Sequence, residues 1–143
     1  MTHYLIHTDG GARGNPGPAA IGVVIEGPGI GKKEYGEYIG QTTNNIAEYQ
    51  AVVFALKKLK ALLGSAQTAQ ASVLVHADSE LLVKQLNGQY KIKEPNIQDL
   101  FVQIWNLRLD FAQVTFQHIG REENHGADRM VNHALDQEED RLV

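Results

Sequence analysis

The chain has 143 residues, 43% of them hydrophobic, which fits one domain with a core of its own and excludes a disordered chain. It has no cysteine, which excludes disulfides and thiolate metal sites, and no apolar run long enough to span a bilayer. With 13 Lys and Arg against 17 Asp and Glu the formal charge is −4, which argues against a general electrostatic nucleic-acid binder but not against a local basic groove or acids that hold cations.

The first apolar run, Tyr4 to Thr8, reads as a buried strand. It ends in Asp9 and a turn rich in Gly, Asn and Pro. Ala19 to Glu26 is apolar and β-branched, and Gly27-Pro28-Gly29 is a turn. Gly31 to Gly40 reads as the partner strand, completing an antiparallel meander of three strands. Helical spacing begins near Asn45, with Val52, Ala55, Leu56, Leu59 and Leu63 on one face. Gly64-Ser65 ends this helix, and a polar, Ala-rich linker follows.

Ser72 to Ala77 is a short buried strand closed by Asp78-Ser79. A helix from about Glu80 to Leu86 follows, stopped by Asn87-Gly88. After a connector carrying Lys91 and Lys93, Pro95 and Asn96 open another helix. Its expected core includes Ile97, Leu100, Phe101, Ile104, Trp105 and Leu107. Gln113 to Ile119 alternates as a strand with one covered face, Gly120 to Asn124 reads as a loop, and Gly126 to Leu135 as a last helix. Residues 136–143 are expected to be a flexible tail. The order βββ-α-β-α-α-β-α fits a single α/β domain of one sheet with helices on its faces.

Four acids stand at the edges of these elements. Asp9 and Asp78 end the first and fourth strands, and if those strands run parallel and adjacent, both carboxylates emerge at one sheet edge, where ligands of open α/β sheets bind. Glu48, in the expected first turn of the long helix, shares a face with Val52 and Leu56. Asp128 shares a face with Val131 and Leu135. Each acid alone has a simpler reading: Asn45 with Glu48 as a capping arrangement, Asp78 as a cap, Asp128 favoured by a helix dipole. Four such roles converging on one edge is a far less economical account than a shared site. Clustered carboxylates resist ionisation unless cations relieve them, and oxygen donors suit Mg²⁺ or Mn²⁺. Two such ions serve in-line phosphoryl displacement, so the acids alone point to metal-dependent cleavage of a phosphodiester.

Four stretches resemble type 1 ribonuclease H. They are Thr8-Asp9-Gly10-Gly11-Ala12-Arg13-Gly14-Asn15-Pro16-Gly17, Thr42-Thr43-Asn44-Asn45-Ile46-Ala47-Glu48-Tyr49-Gln50-Ala51, His76-Ala77-Asp78-Ser79, and Arg121-Glu122-Glu123-Asn124-His125-Gly126-Ala127-Asp128. The resemblance implies a ribonuclease H-like fold: a five-stranded mixed sheet, three strands antiparallel then two parallel, flanked by helices. It implies endonucleolytic hydrolysis of the RNA strand of an RNA–DNA hybrid, leaving 5′-phosphate and 3′-hydroxyl ends. It implies two Mg²⁺ ions, replaceable by Mn²⁺, held by Asp9, Glu48, Asp78 and Asp128. It implies substrate contacts from Gly11, Ala12, Arg13, Gly14, Asn15, Thr43, Asn44, Asn45 and Gln85, with Asn44 or Asn45 also capping the helix. For the residue that assists turnover before the fourth acid, Arg121, His118 and His125 are the candidates, and Arg121 is favoured because an Arg takes this place in some compact members. The remaining alternatives are a catalytically idle binding module and a same-fold nuclease that also cuts double-stranded RNA or RNA–DNA junctions. A cytoplasmic monomer is expected.

One departure bears on binding. Asn87 to Lys93 runs straight on where some members carry a basic, Trp-rich protrusion, which leaves only Lys91 and Lys93 in its place. With the acidic net charge, hybrid binding is expected to be weak and salt-sensitive. The logarithm of affinity should fall with that of salt by about 0.9 per phosphate contact. A binding titration across salt concentrations checks this, and a salt-independent or nanomolar affinity contradicts it.

Overall fold

The computed structural model describes residues 1–142. Its elements run β1 (Thr2–Ala12), β2 (Gly17–Gly27), β3 (Gly31–Thr42), α1 (Asn44–Thr68), β4 (Ala71–Ala77), α2 (Glu80–Leu86), α3 (Pro95–Arg108), β5 (Gln113–His118), a short 3₁₀ turn (Arg121–Glu123) and α4 (His125–Arg141). The sheet order is β3-β2-β1-β4-β5, with β1, β2 and β3 antiparallel and β4 parallel to both β1 and β5. This is the expected five-stranded mixed sheet.

One face of the sheet builds the main core. Tyr4 and Ile6 of β1, Ile21, Val23 and Ile25 of β2 and Val73 and Val75 of β4 pack with Val52, Leu56 and Leu59 of α1. On the other face Ala20 meets Val131, Ala134 and Leu135 of α4. Burial follows this layering. β2 is covered on both sides and is buried almost continuously, whereas β4 alternates buried and half-buried residues.

Glycine permits the closest helix approaches. A Cβ at Gly10 would overlap the backbone of Ala47 and Glu48, and one at Gly22 would overlap the carbonyl of Ala127 and the amide of Val131. Hence α1 and α4 lie directly on β1 and β2, with no side chain between.

Several boundaries differ from expectation. α1 runs beyond Gly64, whose φ of 77° interrupts the helical geometry, and a last turn takes up part of the expected linker. There the Thr68 hydroxyl donates to the Gly64 carbonyl at 2.7 Å. Trp105 is not core: it is 49% exposed, stacks on Phe101, and carries the Arg108 guanidinium 5.3 Å from its ring. Ile97 and Ile104 fill the inward face of α3, and Trp105 stands about 100° further round. The expected tail is helical to Arg141, and Asp136 and Glu139 on it pair with Arg13. Val143 lies outside the described residues.

Gly22→Ala should therefore cost about 2–3 kcal/mol of stability, since the overlap is with helix backbone that cannot rotate away. Urea unfolding measures this, and a loss under about 0.5 kcal/mol would mean α4 is free to lift.

Candidate active site

The parallel pairing of β1 with β4 ends at Thr8 opposite Ala77, and Asp9 and Asp78 follow at the same edge. Glu48 comes down onto them from α1, across Gly10. It stands in the second turn rather than the first, because the helix begins at Asn44. Asp9, Glu48 and Asp78 each offer a carboxylate oxygen within 4.8 Å of the others. Asp128, in the first turn of α4, lines a cleft of about 330 Å³ together with Asp9, Glu48 and Arg121.

The capping roles that these acids and their neighbours were offered fall to other residues. Thr43 caps α1, its Oγ1 accepting the Ile46 amide at 3.2 Å, so neither Asn44 nor Asn45 is the cap. Ser79 caps α2 by accepting the Leu82 amide at 3.2 Å, which leaves Asp78 outside the helix.

The electrostatics of the cluster are unfavourable as it stands. Asp9 is pushed up to about 7, first by burial and then by the charges of Asp78 and Asp128, with partial relief from the Gly10 amide, which donates to Oδ1 at 3.0 Å. Glu48 is raised well above the carboxylate range by burial and by Asp9 and Asp78. Its Oε2 is buried without a hydrogen-bond partner among the described residues. An orphaned carboxylate oxygen amid two further carboxylates is what a hard divalent cation would satisfy, so the donor set fits Mg²⁺ or Mn²⁺.

Asn124 was quoted only as part of a motif, and it proves to be a support of the site. It is 1% exposed, and its Nδ2 donates to the Thr8 carbonyl at 2.9 Å and to Asp78 Oδ2 at 3.2 Å. It therefore ties the start of α4 to the ends of β1 and β4. The only hint in the sequence is an amide among charged neighbours.

The expected substrate contacts divide into three groups. The turn after β1 is braced on α1: the Ala12 amide donates to Asn44 Oδ1 at 2.8 Å, and the Asn44 amide donates to Asn15 Oδ1 at 2.9 Å. Gly11 lies by Val131, and Gly14 takes a φ of 95°. Arg13 points to α4, pairing with Asp136 and Glu139 at 2.7 Å each. Asn45 lines a second groove with Gln85, Lys91 and Lys93. Gln85 is buried at its floor with both amide ends engaged: Oε1 accepts the Tyr49 hydroxyl at 2.6 Å, and Nε2 donates to the Lys91 carbonyl at 3.1 Å. Of the three residues considered for turnover, only Arg121 lines the acidic cleft, while His125 lines a separate cavity beside His7.

Residues 7–134 match the family model described as Reverse transcriptase-like. Ribonuclease H of Pseudomonas entomophila is 31% identical over 92% of this chain and 93% of its own length. The chain belongs to the ribonuclease H family. Ribonuclease HI of Halobacterium salinarum is 37% identical over 90% of this chain and 62% of the relative. A bifunctional protein of Mycobacterium tuberculosis is also 37% identical, but there the chain spans only 35% of the relative's length. Among solved structures, LC11-RNase H1 in complex with RNA/DNA hybrid superposes with a TM-score of 0.86 at 45% identity, covering 94% of this chain and 97% of that one. The N-terminal ribonuclease H domain of the Mycobacterium tuberculosis protein gives 0.88 at 32% identity over the whole of both chains.

The pKa of Asp9 sets a pH dependence. Its ordinary value is 3.8 and its folded value about 7, so between these the folded chain keeps a proton that the unfolded chain has lost. This contribution to stability is present below about pH 4 and is lost as pH rises towards 7. In chelator, Asp9→Asn should be more stable than the natural chain by about 4 kcal/mol at pH 8, with the gap closing near pH 4. Urea midpoints against pH check this, and parallel profiles for the two chains would contradict it.

Proposed function

We propose that this chain is a metal-dependent endoribonuclease that hydrolyses the RNA strand of RNA–DNA hybrids, leaving 5′-phosphate and 3′-hydroxyl ends. The observation that carries the reading is the partly buried Asp9–Glu48–Asp78 cluster with its unpartnered Glu48 oxygen. Family membership and the hybrid-bound relative support it. In this reading the 143 residues form one ribonuclease H domain acting as a cytoplasmic monomer. No helix among the described residues is long and apolar enough to cross a membrane.

In this proposal Asp9, Glu48, Asp78 and Asp128 hold two Mg²⁺ ions. Bound there, the pair supplies an activated water and charge stabilisation for the departing 3′ oxygen. Asp9 and Glu48 give up their retained protons when they take cations, so cation binding is favoured as pH rises. Asn124 holds the Asp78 carboxylate in position from its Oδ2 side. Gly11 and Gly14 let the turn's backbone come close to a sugar–phosphate, and Asn15 and Asn44 keep that turn in place. Discrimination for RNA rests on 2′-hydroxyl contacts in this turn. Thr43, Asn44 and Asn45 face the DNA strand, and Gln85 shapes the groove that Asn45 lines with Lys91. Arg121, at the cleft rim, assists departure of the cleaved phosphate.

Labelled RNA–DNA hybrid would be assayed beside double-stranded RNA, double-stranded DNA and single-stranded RNA, with Mg²⁺, Mn²⁺ or chelator. Hybrid-only cutting that needs metal and disappears in Asp9→Asn is the expected result. Cutting of double-stranded RNA widens the substrate class, and no cutting by folded protein with either metal refutes the nuclease reading. Arg121→Ala should slow turnover roughly tenfold with little change in binding, and an unchanged turnover rate removes Arg121 from the mechanism.

A further inference from the structure

The sheet face opposite α1 holds a pair of histidines, separate from the acids. His7 of β1 and His76 of β4 stand directly opposite each other in the parallel register. Both are half-buried. His76 Nδ1 and His7 Nε2 are 3.4 Å apart, with ring centroids at 5.0 Å and planes at 88°. Neither imidazole has another hydrogen-bond partner among the described residues.

The contact between the two rings is one long hydrogen bond, whose donor and acceptor depend on the tautomer. The nitrogens stand beyond the ordinary N–H donor range of about 2.7–3.2 Å. Two imidazoles bound about 2.0–2.1 Å from a tetrahedral zinc present their nitrogens about 3.4 Å apart. The pair thus has the bite of two ligands on one ion.

The donor chemistry separates this place from the catalytic cleft. The acid cluster offers only oxygen and suits hard cations, whereas imidazole suits zinc, nickel and copper. Further donors are at hand. Glu26 and Glu123 line a cavity that His7 shares, and with water they can complete the coordination. Among the described residues no third side-chain donor yet stands within 4.8 Å of both rings, so binding is by two histidines first.

We propose that His7 and His76 form a second metal site, which takes a borderline divalent ion such as Zn²⁺ and staples β1 to β4. Each histidine lies two residues before a cleft acid, Asp9 and Asp78, so an ion here fixes the spacing of the two strand ends that carry them. The proposal stands whether or not the chain cleaves hybrids.

The test uses the full chain saturated with Mg²⁺, so that the acid cluster is occupied, and titrates Zn²⁺ while long-range ¹H–¹⁵N spectra follow the histidine rings. His7 Nε2 and His76 Nδ1 should shift together and saturate at one equivalent, ahead of the other four histidines. Competition with a zinc-binding dye should show one site lost in both His7→Gln and His76→Gln, and Zn²⁺ should raise the melting temperature of the natural chain but not of either variant. Ring signals that stay in place up to millimolar Zn²⁺ overturn the proposal. So does a double variant that binds as much zinc as the natural chain, which would assign the zinc to the acids or to exposed histidines. The spectra of the natural chain decide the matter even where a variant folds poorly.

Discussion

Three carboxylates held within 4.8 Å of one another, two of them raised far from their ordinary pKa by burial and mutual repulsion, are the least comfortable feature of the molecule. Nothing local would hold such a group together. Parallel pairing of β1 and β4 delivers two of the acids to one edge, and the backbone contact of α1 on Gly10 delivers the third. The core beneath, from Ile6 and Val75 to Leu56, is therefore the source of the force that keeps the acids close. Hydrophobic burial supports an electrostatic strain, and the strain is what a cation would release.

Rigidity around the site comes from backbone contact more than from side-chain packing. Where a glycine lets a helix lie on a strand, the distance between them is set by hard atoms, with no rotamer to adjust it. Gly10 fixes Glu48 over Asp9 in this way, and Gly22, the register partner of Asp9, fixes the base of α4 close to Asp128. Asn124 adds a polar tie between the same elements. Each of the four acids is thus located by a feature outside itself.

The readable parts of this chain were those in which local pattern and global position agree. Asp78 was legible because a carboxylate just after a short apolar run marks a strand end, whereas at Asp9 only the parallel pairing stops, β1 itself running on to Ala12 against β2. Glu48 was legible because its spacing to Val52 and Leu56 turns it towards the sheet. The helix cap was not, because Thr43, Asn44 and Asn45 are all good capping residues and only the backbone geometry selects Thr43. Trp105 was misplaced because an aromatic one position from Ile104 fits an apolar stripe in sequence while standing a quarter-turn off it in space. The end of α4 was beyond local reading, since the partner that Asp136 and Glu139 meet is Arg13, more than a hundred residues away. Asn124 had the same difficulty: its bonding partners lie on strands remote in sequence.

Arg13 shows how a residue can be bound at rest and still be available to a substrate. Its two acidic partners are largely exposed, at 63% and 64%, so each pair contributes only about 0–1 kcal/mol and weakens with salt. The turn that carries Arg13 does not depend on them, because Asn44 and Asn15 hold it to α1 through two separate hydrogen bonds. In the proposed complex a backbone phosphate would offer the same guanidinium a single bidentate partner in place of two separate carboxylates. Transfer from α4 to phosphate would then leave the turn's backbone where it is and free only the side chain. Under the proposed function the cost of engaging a nucleic acid would be confined to two weak surface pairs, while the glycines proposed to approach the sugar–phosphate would keep their position.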